Sequence, residues 1–230
     1  MSVTPFRIIF FGTPDFASAS LEAIVAAGLS VVCVVTAADK PAGRGQKISE
    51  SAVKKTALAL KIPILQPPNL KAPDFIETMS NYQADLGVVI AFRMLPEVVW
   101  SMPRLGTINL HGSLLPNYRG AAPIHHAIIN GESTTGVTTF FLKHEIDTGD
   151  IISSTEIAVS EEETVGELHD RMMVIGATLM VDTLRKIQNN EHQSHPQPNI
   201  TVVWSAPKLN RDFCELNFDL NQQAFHNKLR

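Results

Sequence analysis

Cysteine is nearly absent: Cys33 and Cys214 are the only two in 230 residues. Two lone thiols make no disulfide framework, and without a secretory signal they point to the reducing cytoplasm. The apolar run after Arg7 is too short for a signal core, and no stretch is long enough to span a membrane. Positive charge is not in excess either. Nineteen Lys and Arg against 23 Asp and Glu leave a net charge of −4. No global field therefore draws nucleic acid, and any RNA contact has to be local. Glycine is sparse where a dinucleotide fingerprint would need it: the first strand–helix unit carries Gly12 alone, not G-x-G-x-x-G. H-E-x-x-H is missing. His192 and His195 have no cysteine or second pair at ligand spacing, so they read as solvated side chains. No internal repeat is visible.

What is present is a globular composition, 44% hydrophobic and 18% charged. The length suits one large domain, or one domain with an appendage. Residues 7–12 (RIIFFG) read as a buried strand. Thr13 is placed to cap a helix over 15–27, with Pro14 in its first position and Gly28 after its end. Residues 30–36 form a second strand in which Cys33 is a core residue. In 38–47, Pro41, Gly43 and Gly45 surround Arg44, so no regular element fits. That long loop carries Lys40, Arg44 and Lys47; it is either solvated or functional. A helix capped by Ser51, an extended piece at 63–65 and a helix over 74–82 follow. Residues 86–91 read as a buried parallel strand with 92–96 at its carboxyl end. Strands are expected at 105–110, 136–143 and 151–159, and a helix at 121–130. Thr164-x-x-Glu167 is a capping box. It opens a long helix whose apolar residues, Met172 among them, recur near a 3.6 period and belong to the core. Residues 188–199 are polar and patternless, 200–204 are strand-like, and 220–229 make an amphipathic helix.

Strands alternating with helices predict an α/β fold: Rossmann-like, doubly wound, with a mostly parallel sheet and helices on both faces. The chemistry is expected around residues 107–120. Asn109 and His111 lie two apart on a strand, so an amide and an imidazole project together from its carboxyl end. Gly112 lets backbone approach a ligand, and ligands of such sheets sit outside the carboxyl ends of the strands. On spacing alone, the same pattern fits a capped strand end with a surface histidine.

Asn109-x-His111-x-Ser113-Leu114-Leu115-Pro116 together with Asp147-Thr148-Gly149 resembles the folate-dependent formyltransferases. Residues 11–17 (FGTPDFA), 41–45 (PAGRG) and 119–124 (RGAAPI) resemble the branch of that family that acts on methionyl initiator tRNA. The resemblance spans the chain from Arg7 to about Arg230. It implies transfer of the formyl group of 10-formyltetrahydrofolate to the amino group of initiator methionyl-tRNA. It also implies direct amine attack, with no covalent enzyme intermediate and no metal. Asn109, His111 and Asp147 would be catalytic: the first two as donors to the oxyanion, Asp147 orienting the imidazole and shuttling the amine's proton. Phe92, Arg93, Met94, Leu95, Ser113, Leu114, Leu115 and Pro116 would line the folate site. Lys40, Arg44 and Lys47 would reach tRNA from a mobile arm. Members often read Ala-Tyr-Gly where this chain has Ala91-Phe92-Arg93, which is nearer the glycinamide ribonucleotide branch. The family has a C-terminal domain after a linker. Residues 1–189 are therefore expected to be the catalytic domain, and 190–230 the linker and the start of the connection. The expected protein is cytoplasmic and monomeric. By itself the chain should bind folate in a formed site and tRNA weakly.

Other readings are open. A metal-dependent hydrolase would use His111, His144, Glu145, Asp147 and Asp150, but adjacent His144 and Glu145 diverge at a strand end. A binding module that merely keeps the fold has no need of the Asn109, His111 and Asp147 set. A formyltransferase for glycinamide ribonucleotide or an amino sugar is disfavoured by the loop around Arg44 and by RGAAPI.

Overall fold

The structure, a computed structural model, describes residues 5–42, 47–199 and 203–230. In chain order the elements are β1 (Arg7–Gly12), α1 (Asp15–Ala26), β2 (Ser30–Val35), β3 (Lys40–Ala42), β4 (Lys47–Ser49), α2 (Ala52–Ala59), β5 (Ile64–Leu65), α3 (Pro73–Asn81) and β6 (Leu86–Ile90). They continue with α4 (Glu97–Trp100), β7 (Thr107–His111), β8 (Arg119–Gly120), α5 (Pro123–Ile129), β9 (Thr134–Phe141), β10 (Ile151–Ala158), α6 (Val165–Gln188), β11 (Ser205–Ala206) and α7 (Gln222–Leu229).

Seven strands form one sheet in the order β10-β9-β7-β6-β1-β2-β5. From β1 the chain winds outward to β2 and β5, then returns to lay β6 and β7 on the other side. These five strands run parallel; β9 and β10 close that edge antiparallel. This is the doubly wound, mostly parallel sheet expected from the sequence. Alternation along β1 feeds two cores. Ile8 and Phe10 meet Leu21 and Ile24 of α1 and Met172, Met180 and Leu184 of α6. Ile9 and Phe11 face the other way, onto Phe75 and Met79 of α3 and Val99 of α4. Helices thus cover both faces, and the central strands are apolar on both sides. No helix among the described residues is long and apolar enough to cross a membrane.

Several boundaries differ from the expectation for local reasons. Thr13 does not cap α1: the N-cap is Pro14, extended and without a side-chain bond. A residue before proline is held out of the helical region, which moves the helix start past it. Similarly, α5 starts at Pro123, because Ala122 is non-helical and gives its N–H to Ala206 O (3.1 Å). The two ends of the basic loop are regular. β3 and β4 pair antiparallel, Lys40 opposite Ser49 and Ala42 opposite Lys47; three-residue strands are too short to show alternation. Arg44, between them, lies outside the described residues. At the hairpin's base, Asp39 accepts from Lys54 Nζ and from Gln66 Nε2 (2.8 Å). The strand expected at 200–204 falls partly outside the described residues; pairing occurs instead at β11, parallel to β8. His192 is not simply solvated: it is half-buried against the Phe141 ring, 5.8 Å between centroids.

The capping box is present. The Thr164 side chain accepts from Glu167 N, and Glu167 Oε2 accepts from Thr164 N at 2.8 Å. Hydrogen bonds from the Thr164 backbone and hydroxyl hold the Glu167 carboxyl below its ordinary value. A depressed carboxyl pKa stabilises the fold above the unfolded value, about 4.3, and this is lost as pH falls through the folded value. Thr164→Ala is expected to cost about 1 kcal/mol of stability at neutral pH. In chemical denaturation, the gap from the parent protein should narrow as pH drops below that range.

Candidate active site

β7 lies between β6 and β9, so its backbone is paired on both sides. Ile108 and Leu110 point into the core beneath α6. Asn109 and His111 therefore share the opposite face, Asn109 between Val89 and Phe140, His111 opposite Thr138. The spacing argument from the sequence holds here. Because β1, β2, β6 and β7 are parallel, their carboxyl ends share one edge, and the site lies along it.

His111 is buried, 6% exposed. Its Nε2–H donates to the Tyr118 carbonyl at 2.8 Å. A carbonyl can only accept, so this bond fixes the proton on Nε2. Nδ1 then faces Asp147, with Oδ2 at 3.7 Å, beyond a direct hydrogen bond. The Phe140 ring meets the imidazole edge-on, at 6.4 Å and 85°. The Asn109 carboxamide makes no hydrogen bond among the described residues and is half-buried, so its N–H groups remain available.

Asp147 sits in the turn after β9 with φ +54°. Its Oδ2 accepts from the Gly120 amide at 2.9 Å, and Thr148 Oγ1 donates to Glu145 O at 3.0 Å. Gly149 passes close to the strand end: a Cβ there would lie 1.6 Å from the Phe141 carbonyl oxygen. Gly120 has φ +126° and lies against the Ala206 backbone, where a side chain would not fit.

The segment after β7 is folded back by its own polar groups. Ser113 is fully buried, and its hydroxyl donates to Asn117 O at 2.6 Å. Thr138 Oγ1 donates to Ser113 O (2.7 Å) and accepts from Leu115 N (3.3 Å). Leu115 and Pro116 are buried and joined by a cis peptide bond, while Leu114 is half-buried. Tyr118, also buried, donates its hydroxyl to Glu132 and accepts from Asn130 Nδ2. Burial, with Glu132 beside it, pushes the phenol up to about 12. Its backbone amide donates to Trp204 O at 2.6 Å.

The second expected folate segment leaves the neighbouring strand, β6. Phe92 stacks at a tilt near Phe11, 6.0 Å between centroids. The Arg93 guanidinium lies over the Phe92 ring at 5.7 Å and donates to the Pro67 and Pro68 carbonyls. Arg93 is thus committed to tying its loop to the Pro67–Pro68 segment. Met94 is 73% exposed, while Leu95 is buried in the core under α4. Of these four, Met94 offers the freest apolar surface at the site's edge. Lys40 is exposed on the hairpin that leaves the same edge of the sheet; Lys47 pairs through its backbone in β4. For the hydrolase reading, Asp150 is bound to Lys143 at 2.7 Å. No group of three or more metal-ligating side chains occurs among the described residues.

Sequence reasoning missed Tyr118, Thr138 and Gln197. The first two act through groups that any core tyrosine or strand threonine carries. Gln197 lies in a segment with no pattern at all.

The arrangement offers an imidazole of fixed tautomer, a carboxylate facing its second nitrogen and a free carboxamide on the same face. Those groups suit stabilisation of an oxyanion and movement of a proton. Residues 6–184 match the family model described as Formyl transferase. The chain is 52% identical over 224 residues to the methionyl-tRNA formyltransferase of Flavobacterium johnsoniae, covering 97% of this chain and 71% of that protein. It is 50% identical over 216 residues to that of Bacteroides fragilis, covering 93% and 67%. Among solved structures, it is similar to a sugar 3N-formyl transferase crystallised with dTDP and 5-N-formyl-THF. That match has a TM-score of 0.71 and 23% identity, covering 99% of this chain and 79% of the other. Phosphoribosylglycinamide formyltransferase from Bacillus halodurans aligns with TM-score 0.67 and 22% identity, covering 79% and 94%. The two structures share the fold.

Proposed function

The chain belongs to the formyltransferase family, and from that premise we propose that it formylates initiator methionyl-tRNA, taking the formyl group from 10-formyltetrahydrofolate. The amine of methionine attacks the formyl carbon, and the carbonyl oxygen becomes an oxyanion. Asn109 donates to it from Nδ2. His111 donates from Nδ1, which it can do only when that nitrogen also carries a proton; Asp147 Oδ2, 3.7 Å away, sets negative charge opposite that cation. The amine's proton passes to Asp147, directly or through water, and on to N10 of tetrahydrofolate as the C–N bond breaks. Every bond made and broken lies in donor and acceptor, and the enzyme is returned unchanged. The 92–95 and 113–116 segments, at neighbouring strand ends, would hold the pterin. All reacting side chains come from one chain, in keeping with a monomer, and the substrates are those of cytoplasmic translation. Residues 1–189 carry the reacting groups; 190–230 connect and brace.

The observation that carries this reading is the meeting of His111 and Asp147, far apart in sequence, beside Asn109 on one face. Formyl transfer from 10-formyltetrahydrofolate to charged initiator tRNA, set against an amino sugar and glycinamide ribonucleotide, tests it. Preference for a small amine would overturn the proposed acceptor.

The β3–β4 hairpin projects from the same edge with Lys40 exposed. Replacing Lys40 and Arg44 together by alanine is expected to raise the apparent KM for tRNA and to flatten its dependence on salt, leaving folate binding unchanged. A salt series of tRNA kinetics checks this; parental slopes would leave the hairpin an ordinary surface feature.

A further inference from the structure

One side chain of the polar segment 188–199 reaches the site. His195 pairs with Ile151 in an isolated antiparallel bridge, its N–H donating to Ile151 O at 2.9 Å and its carbonyl accepting from Ile151 N at 2.8 Å. The bridge sets Gln197 beside the turn that carries Asp147. Gln197 Nε2 donates to the Asp147 carbonyl (2.8 Å) and the Gly149 carbonyl (2.9 Å). Its Oε1 accepts from Arg119 Nε (3.1 Å) and Nη2. A guanidinium only donates and a carbonyl only accepts, so the amide has a single workable orientation. All of its hydrogen-bonding capacity is used, half on each side of the gap across which Asp147 meets Gly120.

Asp147 needs such a grip. Its positive φ is uncommon for a residue with a side chain, less so for aspartate than for most, and neighbours help to hold it. Among the described residues, the one hydrogen bond to its carboxylate comes from Gly120, next to Arg119. We infer that Gln197 is a positioning residue for the reaction: it locks the Asp147 turn to the Arg119–Gly120 strand so that the carboxylate faces His111 Nδ1. The kinetic consequences rest on the formyl-transfer reading; the tether itself does not.

Gln197→Ala removes both halves of the grip. Gln197→Glu keeps an acceptor for Arg119 but sets a carboxylate against two carbonyls. Both are expected to lower kcat about ten- to a hundredfold, the scale of a small misplacement of a reacting group, with the KM for folate unchanged. In an Asp147→Ala background Gln197→Ala should cost nothing further, because both act through one carboxylate. Independently of activity, the Gly120 amide proton, released from its acceptor, should exchange with solvent faster in both variants, while the amides of β6 keep their protection. Parental kcat together with parental Gly120 protection in Gln197→Ala would overturn the inference. So would additive losses in the double variant, which would place the effect of Gln197 elsewhere. If the parent protein formylated no initiator tRNA, the proposed reaction would fall, and Gly120 exchange would still decide the tether.

Discussion

Replacing Asn109, His111 or Asp147 by alanine is expected to lower turnover at least about a hundredfold, the scale of losing one oxyanion donor. The three losses should be far from additive, because the side chains stabilise one charge together. His111→Ala also strips the Tyr118 carbonyl of its donor, and a buried group left without a partner costs about 1–3 kcal/mol. Stability must therefore be measured beside activity. Asn109→Asp is the cleaner companion: it keeps size and removes the donating N–H groups, and no side-chain hydrogen bond of Asn109 among the described residues is lost. Single-turnover transfer at saturating folate and tRNA, with folate-analogue binding as the check on folding, decides the matter. A His111→Ala protein that kept most of its turnover would show that the imidazole is not part of the chemistry.

A single methyl group at position 149 is expected to be almost as harmful as removing Asp147. The added Cβ of Gly149→Ala would lie 1.6 Å from the Phe141 carbonyl oxygen and 3.2 Å from the Phe140 ring. Neither is the far end of a flexible side chain. The turn or the end of β9 has to shift by more than an ångström, and Asp147 shifts with it away from His111. A displacement of that size costs about a hundredfold in rate. Folate binding should survive, since the 92–95 and 113–116 segments leave other strand ends. Gly166→Ala in the first turn of α6 is the control: the nearest atom to its new Cβ is 3.9 Å away. It should gain slightly in stability and keep its kcat. Parental turnover in Gly149→Ala would mean that the turn tolerates movement and that Asp147 need not be held closely.

The legible parts of this chain are those in which a short period decides burial. Residues 86–90 are apolar throughout and form a strand buried on both faces. Met172 and Met180 keep the helical period and lie fully buried in α6. Alternation along β7 is enough by itself to put Asn109 and His111 on one face. Asp147 is different: nothing in the spacing joins it to His111, and only the resemblance of two motifs does so. The motif does not show that Met94 is open while its neighbour Leu95 is buried. Gln197 and Trp204 are not legible at all. A glutamine in a polar segment looks the same whether it is solvated or bound to two carbonyls and a guanidinium.

The tie between the site and the tail bears on when the enzyme becomes competent during its synthesis. Asn117 accepts from Trp204 across 87 residues, and Arg119 reaches Gln197 across 78. Such distant closures carry an entropy cost that grows with the loop, and the sheet they close onto has to be in place first. At about 5–20 residues per second, a ribosome has finished β7, β9 and Asp147 some seconds before it delivers the two braces. For that interval the nascent chain holds Asn109, His111 and Asp147 without the hydrogen bonds of Gln197 to the Asp147 turn. On the positioning role inferred for Gln197, the Asp147 turn gains its tether only when residues 197–204 have left the ribosome.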